Sequence, residues 1–322
     1  RPHTPILPVR MPRRLFGLFV ATDPLFQRII ANMTSNALFE PPNRSLNLSR
    51  QFTILTLAAL AFVSLPTHSM ASNAQTCRGN RVSNGVHFIC QSGKWKVAPL
   101  KGTLLILAAS SLSEVAPKLE SDFRRLYPKS DLVWSFAGSQ ILATQVINGV
   151  PADVFISAGI APMNSVVNAR VNQSIPINLV SNSLVIGVMR GNPLRIRDLN
   201  DLKKYSISIC VPEVPCGTLT QKILNNAGVS IKPTTQELDV KAVVTKIDLG
   251  EVDAGLIYRT DAIASLNVDA IEFPEAKTFS TTYSAVKLTS TQKNLTTRDA
   301  FLDYLSSSRA EVIFLKAGFG KA

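Results

Sequence analysis

The sequence predicts an α/β protein. From Leu100 onward, apolar runs of strand length alternate with amphipathic helical stretches, the order that builds parallel sheets faced by helices. The alternation passes through two successive cycles, and 322 residues are enough for two domains with sizeable cores. Ahead of it, at 75–100, two cysteines bracket a segment with an Asn-Gly turn signal, which predicts a small stapled hairpin.

Thr103–Ala109 is a buried strand, and a helix follows from about Ser113 to Tyr127. Leu112, Val115, Leu119, Phe123 and Leu126 repeat at spacings of three and four, so they share one face. Pro117 sits near the first turn, where its missing N–H costs least. Asp131–Phe136 is a second strand, Gln140–Asn148 a second helix, and "NGVPADVFISAG" a turn and a third strand. The second cycle opens with a strand at Ser183–Met189. A short helix follows in "RIRDLNDLKKY", then a strand and loop in "SISICVPEVPCG" and a helix at Leu219–Asn226. Val240–Leu249 is helical, and Gly255–Tyr258 and Val268–Phe273 are strands. Helices at Thr297–Ser306 and Ala310–Ala317 close the chain.

The first part of the chain reads differently. Residues 52–66, "FTILTLAALAFVSLP", form the most apolar stretch, with Arg44 and Arg50 before it and small residues after it. A basic flank, a short apolar segment and small residues are the marks of an export signal, here cut after Ala71 or Ala74. A membrane span needs about twenty apolar residues, and Pro66 ends this run too soon. A lipid anchor on Cys77 is the weaker alternative, since "AQTC" lacks the aliphatic residues such a signal shows. The leader thus covers 1–74, and the Pro- and Arg-rich stretch 1–32 is expected to precede a translation start at Met33.

The formal net charge is +12; residues 1–75 hold seven Arg against Asp23 and Glu40, or +5, which leaves +7 for the rest. That remainder has no Lys/Arg block interleaved with aromatics, so nucleic acid is not an expected partner. Four cysteines, Cys77, Cys90, Cys210 and Cys216, in an exported chain favour disulfides. His87 is the one histidine beyond the leader, too few for a zinc site, so the pairs Cys77–Cys90 and Cys210–Cys216 are expected. The same shortage argues against an enzyme. A Ser-His-Asp triad would have to recruit His87, and no nucleophile elbow, phosphate-binding loop or dinucleotide fingerprint is present.

What remains is a set of neutral donors at loop–helix junctions. Ser110 and Ser111 open one helix and Ser139 opens the next. Either could be an ordinary N-cap, but two successive strand–serine–helix junctions place two helix N-termini side by side at one sheet edge. An anion fits that edge.

At "LAASSLSEV", "SFAGSQILATQVINGVPADVFISAG", "CVPEVPCGTLTQKIL", "LDVKAVVTKIDLGEVDAGLIYRTDA" and "FLDYLSSSRAEVIFLKAGF" the chain resembles the periplasmic molybdate-binding proteins, the receptors of molybdate ABC importers. The likeness runs in order from about Gly102 to Phe319. It implies a type II periplasmic-binding-protein fold: two α/β lobes joined by a hinge, one of 101–181 plus 284–322 and one of 182–283, with the chain crossing near Asn182 and near Tyr283. It also implies a tetrahedral oxyanion held between the lobes by hydroxyls and backbone N–H groups, with no counter-ion and no further cofactor. Carried over by motif, the donors are Ser111 with its neighbour Ser110, Ser139, the amides of Cys216 and Val240, and the Tyr258 hydroxyl. At Cys216 many relatives have Ala, a change that matters little where the peptide N–H is the contact.

A proton-free dianion suits an all-donor site, whereas phosphate keeps a proton that wants an acceptor. Sulfate must be excluded by size, and tungstate is expected to bind like molybdate. The implied partners are a membrane permease and, through it, a cytoplasmic ATPase; the receptor itself is expected to be a periplasmic monomer. A sulfate- or thiosulfate-type receptor and a non-transport oxyanion sensor or adhesin are the alternatives.

Overall fold

The computed structural model describes residues 77–289 and 293–322. The expected leader at 1–74, its apolar stretch and the start at Met33 lie outside the described residues. Ala71–Ala322 forms one compact unit.

Strands β1 (Asn80–Ser83), β2 (Val86–Gln91) and β3 (Lys94–Val97) make an antiparallel meander. Asn84 and Gly85 both have positive φ, 46° and 70°, the geometry of a tight hairpin turn. Ser92 and Gly93 repeat it at 52° and 73°, which adds a third strand to the expected two-stranded hairpin. Cys77 and Cys90 are bridged, as are Cys210 and Cys216.

The main body begins with β4 (Lys101–Ala109), α1 (Ala116–Leu126), β5 (Lys129–Ala137), α2 (Ser139–Ile147), β6 (Val154–Ala158), α3 (Ile160–Asn168) and β7 (Ile177–Asn182). The chain then crosses into β8 (Leu184–Met189), β9 (Ile207–Cys210), α4 (Pro215–Ala227), β10 (Thr235–Glu237), α5 (Val240–Asp248), β11 (Ala254–Tyr258), α6 (Arg259–Ala264) and β12 (Val268–Ile271). It returns through β13 (Thr281–Lys287), α7 (Leu295–Leu305), α8 (Ser308–Lys316) and β14 (Gly320–Lys321).

Two larger sheets result, ordered β14-β7-β13-β6-β4-β5 and β10-β9-β11-β8-β12. The first carries a core on each face: Phe123, Phe301, Tyr304 and Phe314 under α1, α7 and α8, and Leu142, Phe155 and Val166 under α2 and α3. The second has its own core around Ile186, Ile223, Val243 and Leu256.

Neither sheet is wholly parallel, which corrects the expectation. β4 runs parallel to β5 and β6, and β9 to β10 and β11, as βα units require. β13 runs antiparallel to β6 and β7, and β8 to β11 and β12. The cause is the double crossing. β6, β7 and β11 end where the two sheets face each other, and β8 and β13 start there, as the pairs Tyr258↔Leu184, Tyr283↔Ala158 and Thr281↔Asn182 show. The return crossing lies between β12 and β13, so Tyr283 is already inside the six-stranded sheet.

Asp122 on α1 binds Arg309 on α8, its Oδ1 accepting from Nη2 at 2.8 Å and its Oδ2 accepting from Nε. Burial pushes this carboxyl up, but the hydrogen bonds and charge of Arg309 outweigh burial and hold its pKa below the ordinary aspartate value. A carboxyl depressed by folding contributes stability above its unfolded pKa and loses that contribution as pH falls through the folded one. Asp122→Asn is therefore expected to cost about 2 kcal/mol at neutral pH in urea unfolding. The gap to wild type should shrink below about pH 4.

Candidate functional site

Where the two sheets face each other, the chain walls a cavity with about 230 Å³ of atom-free space, its mouth included. Ser110, Ser111, Ser139, Cys216, Val240 and Tyr258 all line it, and all are buried. Three come from the six-stranded lobe and three from the five-stranded one.

Ser139 is the first residue of α2, but its side chain does not cap that helix; the N-cap position falls on Gly138. Its Oγ instead accepts the Ala158 N–H at 3.0 Å. With acceptor capacity satisfied from behind, the hydroxyl proton is left to point elsewhere. Ser111 Oγ lies 2.7 Å from the Tyr283 hydroxyl, and either oxygen can be the donor in that pair.

Ser110 and Ser111 differ from expectation in their backbone. They form a single 3-10 turn, Ser110–Leu112, and α1 starts only at Ala116, with Pro117 in its first turn. The amides at this junction belong to a tight turn, so the full dipole of an α-helix is not aimed from here.

In the second lobe two α-helices do begin at the cavity. α4 starts with Pro215, which has no N–H, followed by Cys216 and Gly217, whose amides fall among the orphan donors of a first turn. The Cys210–Cys216 bridge and the Val214 N–H to Val211 O bond of 3.2 Å close the loop tightly beneath them. A Cβ on Gly217 would lie 1.8 Å from the Val211 carbonyl oxygen, so only glycine closes this turn.

α5 is capped by Asp239, whose Oδ1 accepts from the Lys241 and Ala242 amides at 2.8 and 3.2 Å. The Val240 N–H, first in the helix, is left out of the cap. Asp239 also lines the cavity, a carboxylate where only uncharged donors were expected. Its place follows from the local chemistry, because a helix start that leaves one amide free needs a cap for the next two.

Tyr258 ends β11 with its hydroxyl 3.2 Å from Thr281 Oγ1. Burial raises the pKa of both Tyr258 and Tyr283 far above the ordinary phenol value, so both keep their protons and remain donors. In that bond the Tyr258 hydroxyl donates to Thr281, so the phenol would turn its proton from Thr281 to bond an anion in the cavity.

The lobes are drawn together at the rim. Gln140 Nε2 donates to the Leu238 carbonyl at 3.0 Å, and an added Cβ on Gly159 would come within 3.3 Å of Pro215. Lys241 Nζ, one residue from Val240, lies 2.6 Å from Glu114 in the opposite lobe and 2.6 Å from Asp261 in its own. Burial raises the Asp261 carboxyl to about 6, while Lys241 pulls it the other way. Burial would lower Lys241, yet its two carboxylates hold it above the ordinary lysine value.

Sequence reasoning marked Asn182 and Tyr283 only as crossing points and missed their place behind the cavity, and it did not find Thr281 or the Glu114–Lys241 contact. The first three sit at the crossings, in "SNS" and "STTYSAV", where no periodicity marks a crossing strand. Glu114 and Lys241 are 127 residues apart, beyond the reach of any local pattern.

Residues 104–320 match the family model of bacterial extracellular solute-binding proteins, and the chain belongs to that family. The molybdate-binding protein ModA of Mycobacterium tuberculosis H37Rv is 34% identical over 222 residues, which is 68% of this chain and 85% of that protein. Among solved structures, a substrate-binding domain assigned to a molybdenum ABC transporter of Clostridium difficile is 27% identical, with a TM-score of 0.55 over 68% of this chain and 99% of that one. The periplasmic molybdate-binding protein of Azotobacter vinelandii reaches a TM-score of 0.60 at 18% identity, over 68% of this chain and 99% of that one, a likeness of fold. The architecture is the type II periplasmic-binding-protein fold.

Gly217→Ala is expected to lower stability by about 3 kcal/mol, read by chemical denaturation, because the added methyl displaces backbone that has no room to yield.

Proposed function

We propose that the protein is an extracytoplasmic receptor for molybdate, and equally for tungstate, and that it delivers the anion to the permease of an ABC importer. The reading is carried by one observation: hydroxyl and amide groups from both lobes converge on one cavity, with Ser139 Oγ held from behind by the Ala158 amide and Ser111 Oγ bonded to the Tyr283 hydroxyl. Its relatives' names agree with it, as does the family to which the chain belongs.

A dianion leaves water at great cost unless its oxygens gain many hydrogen bonds, and bonds to a charged acceptor are the strong ones. Ser110, Ser111 and Ser139 supply hydroxyls from the first lobe; the Cys216 and Val240 amides and the Tyr258 hydroxyl supply the second half. The Asp239 carboxylate is turned to two helix amides and so opposes the anion less than a free one. Contacts from both lobes exist only in the closed arrangement, so the anion favours closure by differential binding. The closed surface then docks on the permease, whose cytoplasmic ATPase drives transport. No reaction is catalysed, no cofactor is needed, and the receptor acts as a monomer exported through the apolar segment at 52–66.

Thermal unfolding with molybdate, tungstate, sulfate and phosphate tests the ligand. Stabilisation by the first two alone is expected; a response to sulfate alone would overturn the assignment in favour of a sulfate-type receptor, and no response to any anion would point to a sensor or adhesin. Ser139→Ala and Ser111→Ala are each expected to weaken molybdate binding by about tenfold or more in calorimetry, the cost of one hydrogen bond to a charged group. Their folds should survive, and unchanged affinity in both variants would refute the residue roles.

A further inference from the structure

The three-stranded module of β1 to β3 precedes the region that matches the family model, and the cavity makes no use of it. It is firmly mounted. Its His87 Nε2 lies 2.7 Å from Asp303, the His87 N–H donates to the Tyr127 hydroxyl at 2.8 Å, and Asn84 Oδ1 accepts from the Ser308 N–H and hydroxyl. Gly85 is pressed so close to α7 that a Cβ would lie 2.6 Å from the Asp303 carbonyl. His87 and Ile89 thus turn one face of the sheet toward the main body, where Ile89 packs against the lobe core.

The other face is built differently. The register Arg81↔Phe88↔Val97 and Cys90↔Trp95 puts these side chains together on the outward side. The Arg81 guanidinium lies over both rings, 4.6 Å from the Trp95 centroid and 5.1 Å from that of Phe88. Val97 is 39% exposed, and Phe88 and Trp95 are half-buried. On β3, an edge strand, the register sets Lys96 beside Ile89 and Lys94 beside Gln91, so these two lysines alternate with Trp95 and Val97 along the free edge and project from its other side. With Arg78, Arg81 and Lys101 they bring the cations of 77–101 to five, with no Asp or Glu. All five are exposed, and among the described residues none forms an ion pair.

We infer that the free β3 edge of this module binds the anionic headgroup surface of a lipid bilayer, with Trp95 and Val97 at the boundary and the module's exposed cations, Lys94 and Lys96 first among them, against the lipid phosphates. Cations alone would suit any acidic partner. A half-buried Trp and an exposed Val set among unpaired Lys and Arg, with no acid in 77–101 to repel phosphate, is the composition of a surface that rests in the interfacial layer of a membrane. The disulfide and the contacts to α7 and α8 keep the module rigid, so adsorption orders little new chain. The inference does not depend on which solute the cavity holds.

Ala71–Ala322, a compact unit with its own cores, is the protein to test, since it lacks the apolar segment at 52–66. It is expected to co-sediment with vesicles of phosphatidylglycerol and phosphatidylcholine, not with phosphatidylcholine alone, and to be released by salt. The double variant Lys94→Gln/Lys96→Gln should bind roughly tenfold or more weakly, and Arg78→Gln should weaken binding less. Trp emission should shift to the blue on binding, and this shift should vanish in Trp95→Phe. All these residues lie outside the cores, and unchanged thermal unfolding would show that the variants fold. Equal binding to neutral vesicles, full binding by the double variant, or no binding to either vesicle overturns the inference. Retention of soluble polyglutamate without vesicle binding overturns it in favour of an acidic protein partner.

Discussion

Enclosing an anion away from water succeeds only where protons point at it from several sides and no competing acceptor claims them. Much of this structure answers to that constraint. A lone serine hydroxyl can turn its proton either way, so Ser139 is held by the Ala158 amide and Ser111 is backed by Tyr283. Tyr283 and Tyr258 are useful because burial keeps them protonated. The amides of Cys216 and Val240 are useful because the turn beneath one and the cap beside the other leave them unspent.

The same constraint explains why the crossings matter. In the proposed reading each lobe supplies half of the donors, so both halves must meet at one place, and the chain passes between the lobes beside that place. Asn182 ends β7 at one crossing and reaches Thr260 at 2.8 Å, while Thr281 opens β13 at the other and meets Tyr258. The segments that permit hinge motion therefore also support the walls of the cavity. Lys241 extends the arrangement to the rim, linking the α5 start to the turn that carries Ser111.

The elements with strong periodicity were legible in the sequence. β4, β6 and β11 each carry an apolar run, and α1 and α5 present apolar faces at spacings of three and four, so each was found within a few residues. Short or crossing elements were not. α6 has six residues and β10 has three, too few for a period to show, and α3 carries Pro162 inside its first turn. β13 went unassigned because Thr281, Thr282 and Ser284 dilute its apolar pattern. Strand direction was legible only inside βα units, since alternation says nothing about a strand that enters from another lobe. At the cavity, motif position sufficed to name residues whose side chains or amides line one wall. The hydroxyls behind them, and the Asp239 carboxylate among them, depend on tertiary neighbours that no local pattern encodes.

The bridge between Cys210 and Cys216 has a bearing on how the start of α4 is held. It shuts a loop over six residues of separation, with Gly217 packed onto the Val211 carbonyl. A chain still in a reducing cytoplasm lacks that covalent tie. The two amides at the start of α4 owe their fixed aim to that tie as well as to the Gly217 packing, so the geometry of the loop depends on the redox state in which the chain folds.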